Sequence, residues 1–310
     1  MGSSCGPPAQ RRRSFVLALA ARGGLGLLPA AAGVGAAAQD ASSGASAATA
    51  VQLEADLVRT GLYLIRGGGG NSLLRLSANG MLLVDGKLPG NYRALMSQVR
   101  KISRLSEMPV RVLVLTDHHE ERAGTNAQFL EARIPIVAQR DTLARLRLPE
   151  SSDTAAGLPV VSYERERTLR LGGVEVQLRH FGSACTSGDT VVHFPDLKVV
   201  ALGDLFPAGA PAPDFSAGGS LVGWGAVLAR VLELDFDQVV PGTGPVVGRS
   251  ALVAFKEKVD AVVARAGALV RGGVGRDELM SRMGREDLGW RFDFAGDDLD
   301  RFHAELSRSR

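Results

Sequence analysis

The sequence predicts an α+β fold of two facing β-sheets with helices outside, and three observations carry that expectation. Short apolar runs broken by glycine turns gather in two stretches of the chain, and helical periodicity comes after each stretch. The earliest runs also stand too close together for crossover helices, which disfavours a doubly wound sheet, the competing layout.

The first stretch opens with Leu62–Arg66, Asn71–Leu76 and Met81–Asp85, separated by Gly67–Gly70 and by Asn79-Gly80, and reads as a strand meander. Tyr92–Leu105 places Leu95, Met96, Val99 and Ile102 at helical spacing. Val110–Leu115 reads as a buried strand running into the polar cluster Thr116–Arg122. Ala123–Ala132 reads as a short helix and Ile134–Ala138 as a short strand. The second stretch predicts strands at Thr168–Leu171, Val174–Leu178, Thr190–Phe194 and Lys198–Leu202, with Gly172-Gly173 and Asp196-Leu197 in the turns. A helix over Leu221–Leu234, a strand at Gln238–Val240, a long helix over Ser250–Val270 and a last helix over Asp297–Leu306 complete it. Polar clusters come directly after three strands, at Thr116–Arg122, Gly203–Asp204 and Gly242–Gly244, and strand ends are where rigid scaffolds present functional loops.

Residues 1–50 differ from the rest. Arg11, Arg12 and Arg13 precede Ser14-Phe15-Val16-Leu17 and a weakly apolar Ala/Leu/Gly stretch ending at Ala36-Ala37-Ala38, the layout of a cleaved export signal of twin-arginine type. The glycines and Arg22 argue against a membrane-spanning helix there. The expected organisation is a signal over 1–38, a flexible linker over 39–50 and one domain over 51–310, placing the mature protein in the periplasm or outside the cell. Removing residues 1–38 removes four arginines and no acid, which takes the formal charge from +3 to −1. Such a balance lacks a nucleic-acid footprint, so the expected partner is a small molecule or a periplasmic protein, with no membrane span after cleavage. Cys5 would leave with the signal, and Cys185 would remain as a single thiol, which excludes a disulfide framework.

Four ordered segments carry the chemistry. They are Thr116-Asp117-His118-His119-Glu120-Glu121-Arg122-Ala123-Gly124-Thr125-Asn126, Gly182-Ser183-Ala184-Cys185-Thr186-Ser187-Gly188-Asp189, Leu202-Gly203-Asp204-Leu205-Phe206 and Val240-Pro241-Gly242-Thr243-Gly244-Pro245-Val246. In order and spacing they resemble the metallo-β-lactamase superfamily, with its T-H-x-H-x-D-H-x-G-G-N, G-x-A-H-T-x-G-D, T-G-D-L-F and P-G-H-G-P motifs. The likeness spans roughly residues 55–250 and implies an αββα four-layer sandwich and a two-metal hydrolase site. It also implies that Asp117, His119 and Cys185 stand at the first metal's ligand positions, Glu121, Arg122 and Thr243 at the second's, and Asp204 at the bridging aspartate. Asp85 resembles the strand-end aspartate that supports the site from behind, although a turn-forming role before Gly86 explains it almost as well.

Ligand chemistry separates the two halves. Zinc accepts imidazole, thiolate and carboxylate, so Asp117, His119, Cys185 and Asp204 form a chemically possible site for one ion. Arg122 has no lone pair to offer and stays protonated, Thr243 is a weak neutral donor, and the second ion is expected to be lost. Arg122 could stand in for it by pairing with Glu121 and Asp204. Three readings result. The preferred one is a metal-free or strongly altered relative that keeps the fold and pocket, a pseudoenzyme. The second is a one-zinc hydrolase on Asp117, His119, Cys185 and Asp204. The third is a thiol or redox role for Cys185 beside His119. His118 is expected to point elsewhere. His180 and His193 are expected to be structural, His193 on an exposed face, and His303 to lie on a surface helix. The Pro/Gly-rich stretch 206–225, with Phe215 and Trp224, reads equally as a flap over a pocket or as a connector whose aromatic residues fill the core.

Overall fold

Alternation along the strands builds the architecture, because successive residues of a doubly buried strand face different cores. In the Gly80–Val84 strand, Met81 and Leu83 join one apolar cluster while Leu82 and Val84 join another. The computed structural model describes residues 51–103, 108–148, 160–284, 286–290 and 293–309, and these fall within one compact unit. The predicted signal and linker lie outside the described residues, as does the end of the predicted Tyr92–Leu105 helix.

The first sheet contains β1 (Glu54–Arg59), β2 (Leu62–Arg66), β3 (Ser72–Ser77), β4 (Gly80–Val84), β5 (Val110–Val114), β6 (Ile136–Gln139) and β7 (Val160–Tyr163), side by side in that order. Strands β1 to β4 form an antiparallel meander, whereas β4 to β7 run parallel. Helical connections α1 (Tyr92–Ile102), α2 (Glu120–Ala123), α3 (Asn126–Glu131) and α4 (Arg140–Leu146) join the parallel strands. The disfavoured crossover layout is thus present in one half of this sheet. The second sheet contains β8 (Glu166–Leu171), β9 (Val174–Arg179), β10 (Val191–Phe194), β11 (Val199–Ala201), β12 (Gln238–Val240) and β13 (Val247–Gly248). Its order is β13-β12-β11-β10-β9-β8, and only the β11–β12 pair is parallel. Helix α5 (Leu221–Leu232) makes that crossover, and α6 (Arg249–Arg271), α7 (Arg276–Arg282) and α8 (Gly296–Arg308) complete the chain.

Three cores separate four layers. Leu62, Leu73, Leu82 and Val114 of the first sheet meet Leu178, Val192, Phe194 and Ala201 of the second. Leu95, Val99 and Phe129 cover the first sheet's other face, and Leu228, Val259, Phe302 and Leu306 cover the second's. Two mixed sheets flanked by helices therefore form the expected αββα sandwich. The single helix expected over 123–132 divides at Gly124-Thr125, where Thr125 Oγ1 accepts the Lys87 N–H instead of facing a helix groove. Strand β1 escaped detection because four of its six residues are exposed and leave no apolar run. His193 is buried rather than exposed; one ring N–H donates to the Asp235 carbonyl at 3.0 Å, which satisfies it inside the sheet.

Candidate functional site

The ends of β4, β5, β11 and β12 converge on one edge of the sandwich, and each delivers one part of a charged cluster. After β4, Asp85 adopts a left-handed conformation (φ 59°) that turns its carboxylate back towards β5. It accepts the Thr116 N–H and the Thr116 hydroxyl, both at 2.7 Å, which ties the two strand ends together. After β5, Asp117 Oδ1 accepts the His119 N–H at 2.9 Å and shapes the entry to α2. After β11, Gly203 (φ 50°) brings the chain so close to β5 that a Cβ there would strike Thr116. Asp204 stands next to it.

Arg122 is the centre of this arrangement. Its side chain is 1 % exposed and runs from α2 inward between Gly70 and Gly242. One terminal nitrogen donates to the Gly242 carbonyl at 2.8 Å, and the other pairs closely with Asp204 Oδ1. Its Nε lies 3.8 Å from Asp117 and 3.9 Å from Asp85. A Cβ on Gly70 would overlap the guanidinium, so this glycine is the space that admits the arginine. Burial opposes the charge, but the three carboxylates outweigh it and raise the arginine's pKa.

His119 is held between two acids: Nδ1 lies 3.0 Å from Asp204 Oδ2 and 3.2 Å from Asp117 Oδ1. Burial works against an imidazolium here, yet the hydrogen bonds and charges of Asp117 and Asp204 prevail and push its pKa up to about 11. Asp117 shows the counterpart. Burial favours its neutral form, and contact with His119 and Arg122 overcomes that and holds it well below the usual carboxylate range. Burial dominates at Asp85 and Asp189, raising each to about 7. Asp189 braces the Cys185 loop by accepting the Thr186 N–H and hydroxyl. Burial also pushes the Cys185 thiol well up, which works against its ionisation and so against a nucleophilic role.

The predicted residues separate into those that converge and those that do not. One donor atom from each of His119, Cys185 and Asp204 lies within 4.8 Å of the others, and the same holds for His118, His119 and Asp214. Asp117 joins neither triad and faces Thr116 and Arg122 from beneath. His118, expected to point away, turns towards the site, its ring 4.7 Å from that of His119. Glu121 is exposed and is not Arg122's partner, because α2 directs it outward while Arg122 points in. Thr243 is exposed on the rim of a cavity of about 380 Å³ that also includes Phe206, Pro241, Phe255 and Trp290. A larger cavity of about 640 Å³, lined by Arg165, Arg179, His180 and Arg230, contains none of these residues. Phe215 and Trp224 are not among the lining residues of either cavity. Both are buried in the core beneath the second sheet, and Trp224 Nε1 donates to the Leu205 carbonyl.

Sequence reasoning passed over Asp214 and Lys87. Asp214 caps a short turn by accepting the Ala217 N–H, and its Pro-Asp-Phe-Ser context is an ordinary turn signal with nothing to mark a site. Lys87 is fully buried and donates to the Ile65 and Gly70 carbonyls, fastening the glycine-rich loop that makes room for Arg122. Burial lowers its pKa to about 7.

Fold and site together define a metallo-hydrolase scaffold with an altered centre. Residues 65–243 match the family model of the metallo-β-lactamase superfamily, and the chain belongs to that superfamily. The alpha subunit of 2,4-dinitroanisole O-demethylase from Nocardioides sp. (strain JS1661) is 29% identical over 180 residues, covering 56% of this chain and 53% of that protein. The chain thus spans about half the length of this curated relative. Among solved structures, the metallo-β-lactamase from Pontibacter korlensis superposes with a TM-score of 0.58 at 21% identity, covering 66% of this chain and 99% of that one. The mono-zinc form of FIM-1 from Pseudomonas aeruginosa gives 0.56 at 20% identity, covering 68% and 96%. DIM-1 metallo-β-lactamase gives 0.58 at 19%, covering 68% and 98%. At these identities the likeness concerns the fold.

The donor chemistry tests each metal of the family against the residues present. His119, Cys185 and Asp204 offer nitrogen, sulfur and oxygen, a set zinc accepts. The second ion does not fit, because a guanidinium with no lone pair lies against Asp204 where a cation would share that carboxylate. The binuclear centre is therefore reduced to partial triads that share His119.

Proposed function

We propose that this protein has given up the two-metal hydrolysis of its family and uses the scaffold as a ligand-binding relative with an internally balanced site. The observation that carries this reading is Arg122, buried against Asp204, Asp117 and Asp85 in the position of a cation. Its fixed charge neutralises carboxylates that would otherwise require an ion, and it cannot leave to admit one. The cavity bordered by Thr243 and walled by Phe206, Phe255 and Trp290 supports a small and largely apolar ligand. The matching relative is likewise named for a small aromatic compound.

A second reading, a single-ion hydrolase, is favoured by the spacing of His119, Cys185 and Asp204. A zinc ion held there would acidify a water and polarise a carbonyl or phosphoryl oxygen. Asp117 would orient His119 from behind, and Asp85 would hold Thr116 and the β5 end in place. Metal analysis of protein purified without chelator or affinity metal separates the two readings. The first expects no ion in the inner triad and no hydrolysis of lactam, thioester, lactone or phosphodiester. About one equivalent that disappears in Cys185→Ser would favour the second, and two equivalents in the wild type would sink both.

We also propose that residues 1–38 direct export by the twin-arginine route and that 51–310 constitute the mature domain. The Arg12-Arg13 pair ahead of a weakly apolar stretch supports this, and no described helix is long and apolar enough to cross a membrane. Replacing Arg12 and Arg13 with lysine should retain the chain, unprocessed, in the cytoplasm; unchanged processing would contradict it.

A further inference from the structure

We infer that the site can hold one divalent transition-metal ion outside the ancestral position, on His118, His119 and Asp214. This rests on the reading that Arg122 keeps the ancestral centre closed to a second ion. The argument begins at His119. Its Nδ1 faces two carboxylate oxygens, which can only accept, so that nitrogen carries a proton. Metal-binding histidines commonly donate their other ring N–H to a carboxylate, which orients the ring and raises its basicity. The inward side of His119 is therefore built as support, and the coordinating side is Nε2, which looks outward to Asp214.

The distances suit an ion better than direct contacts. Asp214 Oδ2 lies 3.5 Å from His119 Nε2 and 3.7 Å from His118 Nε2, too long for good hydrogen bonds. Two donors at about 2.1 Å from a tetrahedral ion stand about 3.4 Å apart, close to these separations. Asp214 is also prepared for the task. Its Oδ1 accepts the Ser216 hydroxyl at 2.6 Å and the Ala217 N–H at 3.0 Å, which leaves Oδ2 directed at the imidazoles. Its own N–H donates to the Cys185 carbonyl and its carbonyl accepts the Gly219 N–H, both at 2.8 Å, so the backbone behind it is fixed. His118 has less support, since its Nδ1 is buried with no hydrogen-bond partner, and it is the weaker of the two imidazole ligands. All three side chains are half-buried, so the open face of the ion would meet solvent or a ligand.

Two nitrogens and one carboxylate suit a borderline divalent ion such as zinc or ferrous iron and do not attract calcium or magnesium. Binding exchanges the Nε2 proton of His119 for the ion, while its Nδ1–H goes on donating to Asp204 and Asp117. Arg122 remains where it is.

The test is titration of chelator-treated full-length protein with zinc and with cobalt, in wild type, Cys185→Ser, His118→Ala and Asp214→Asn. One equivalent is expected in wild type and in Cys185→Ser. His118→Ala and Asp214→Asn should each bind at least about tenfold more weakly, with melting curves confirming that both remain folded. The cobalt spectrum of the wild type should lack thiolate-to-metal charge transfer, a reading that needs no variant to fold. Binding lost in Cys185→Ser, a thiolate band, unchanged affinity in Asp214→Asn, or no binding by the wild type would each overturn the outer site. Two equivalents in the wild type would instead overturn the reading of Arg122, whatever the outer variants do.

Discussion

A guanidinium surrounded by three aspartates is stable only while every partner stays in place. Removing Arg122 leaves Asp117 and Asp85, both almost fully buried, beside Asp204, with the arginine's charge no longer there to compensate them. Breaking a buried pair of this kind costs about 3–5 kcal/mol, so Arg122→Ala should lower unfolding stability by that order in urea titration. A loss under about 1 kcal/mol, the level of an exposed pair, would show that water already screens the cluster. His119 makes a pH-dependent contribution. Its folded pKa of about 11 lies above the unfolded value of about 6.5, so the stabilisation is complete below the latter and is lost as pH rises towards the former. In chelator-treated protein the wild type should therefore lose more stability than His119→Gln between neutral and strongly alkaline pH. Parallel curves would mean that no charged imidazole is held there.

At the level of elements, the site depends on close approaches that only glycine permits. Gly70 follows β2 in the loop fastened by Lys87, and any Cβ on it enters the space of the Arg122 guanidinium. Gly70→Ala should cost about 1–3 kcal/mol as overpacking, and much of that cost should vanish in an Arg122→Ala background. A double-mutant cycle reads this directly; additive losses would show that the loop and the arginine are independent. The 206–225 stretch is anchored by its aromatic residues, Phe215 in the connector and Trp224 in the first turn of α5. Trp224 is fully buried and Phe215 packs edge-on to Phe294. Trp224→Ala should destabilise the protein by about 3–5 kcal/mol. A stability unchanged by that substitution would restore the view of these aromatics as a mobile cover.

Across the whole molecule, the two sheets bury a shared core and each carries its own helical layer, so the metal centre is not what joins them. Chelator-treated protein should accordingly unfold in one cooperative transition with its near-UV circular dichroism intact. Added zinc should raise the melting temperature only by mass action at a formed site. Collapse of tertiary signal on chelation would show that the internal ion cluster does not replace the family's metals.

Much of the fold was legible in the sequence because a strand buried on both faces must be apolar throughout, and glycine turns mark where it reverses. Leu62–Arg66 and Val110–Leu115 declare themselves in this way, whereas β1, half-exposed at an edge, has no such pattern. The erosion of the second metal's ligand set was also legible, since an arginine cannot ligate in any setting. Which groups neutralise that arginine was legible only in part. The sequence suggested Asp204, which does pair with it, and Glu121, whose side chain the helix turns outward; Asp85 and Asp117 come in from the ends of β4 and β5. Asp214 was invisible for a related reason: a turn aspartate acquires chemical meaning only when folding sets it 3.5 Å from an imidazole nearly a hundred residues away. Residue type and period are written along the chain. The pairing of charges depends on distance in space, and only the packed sandwich supplies it.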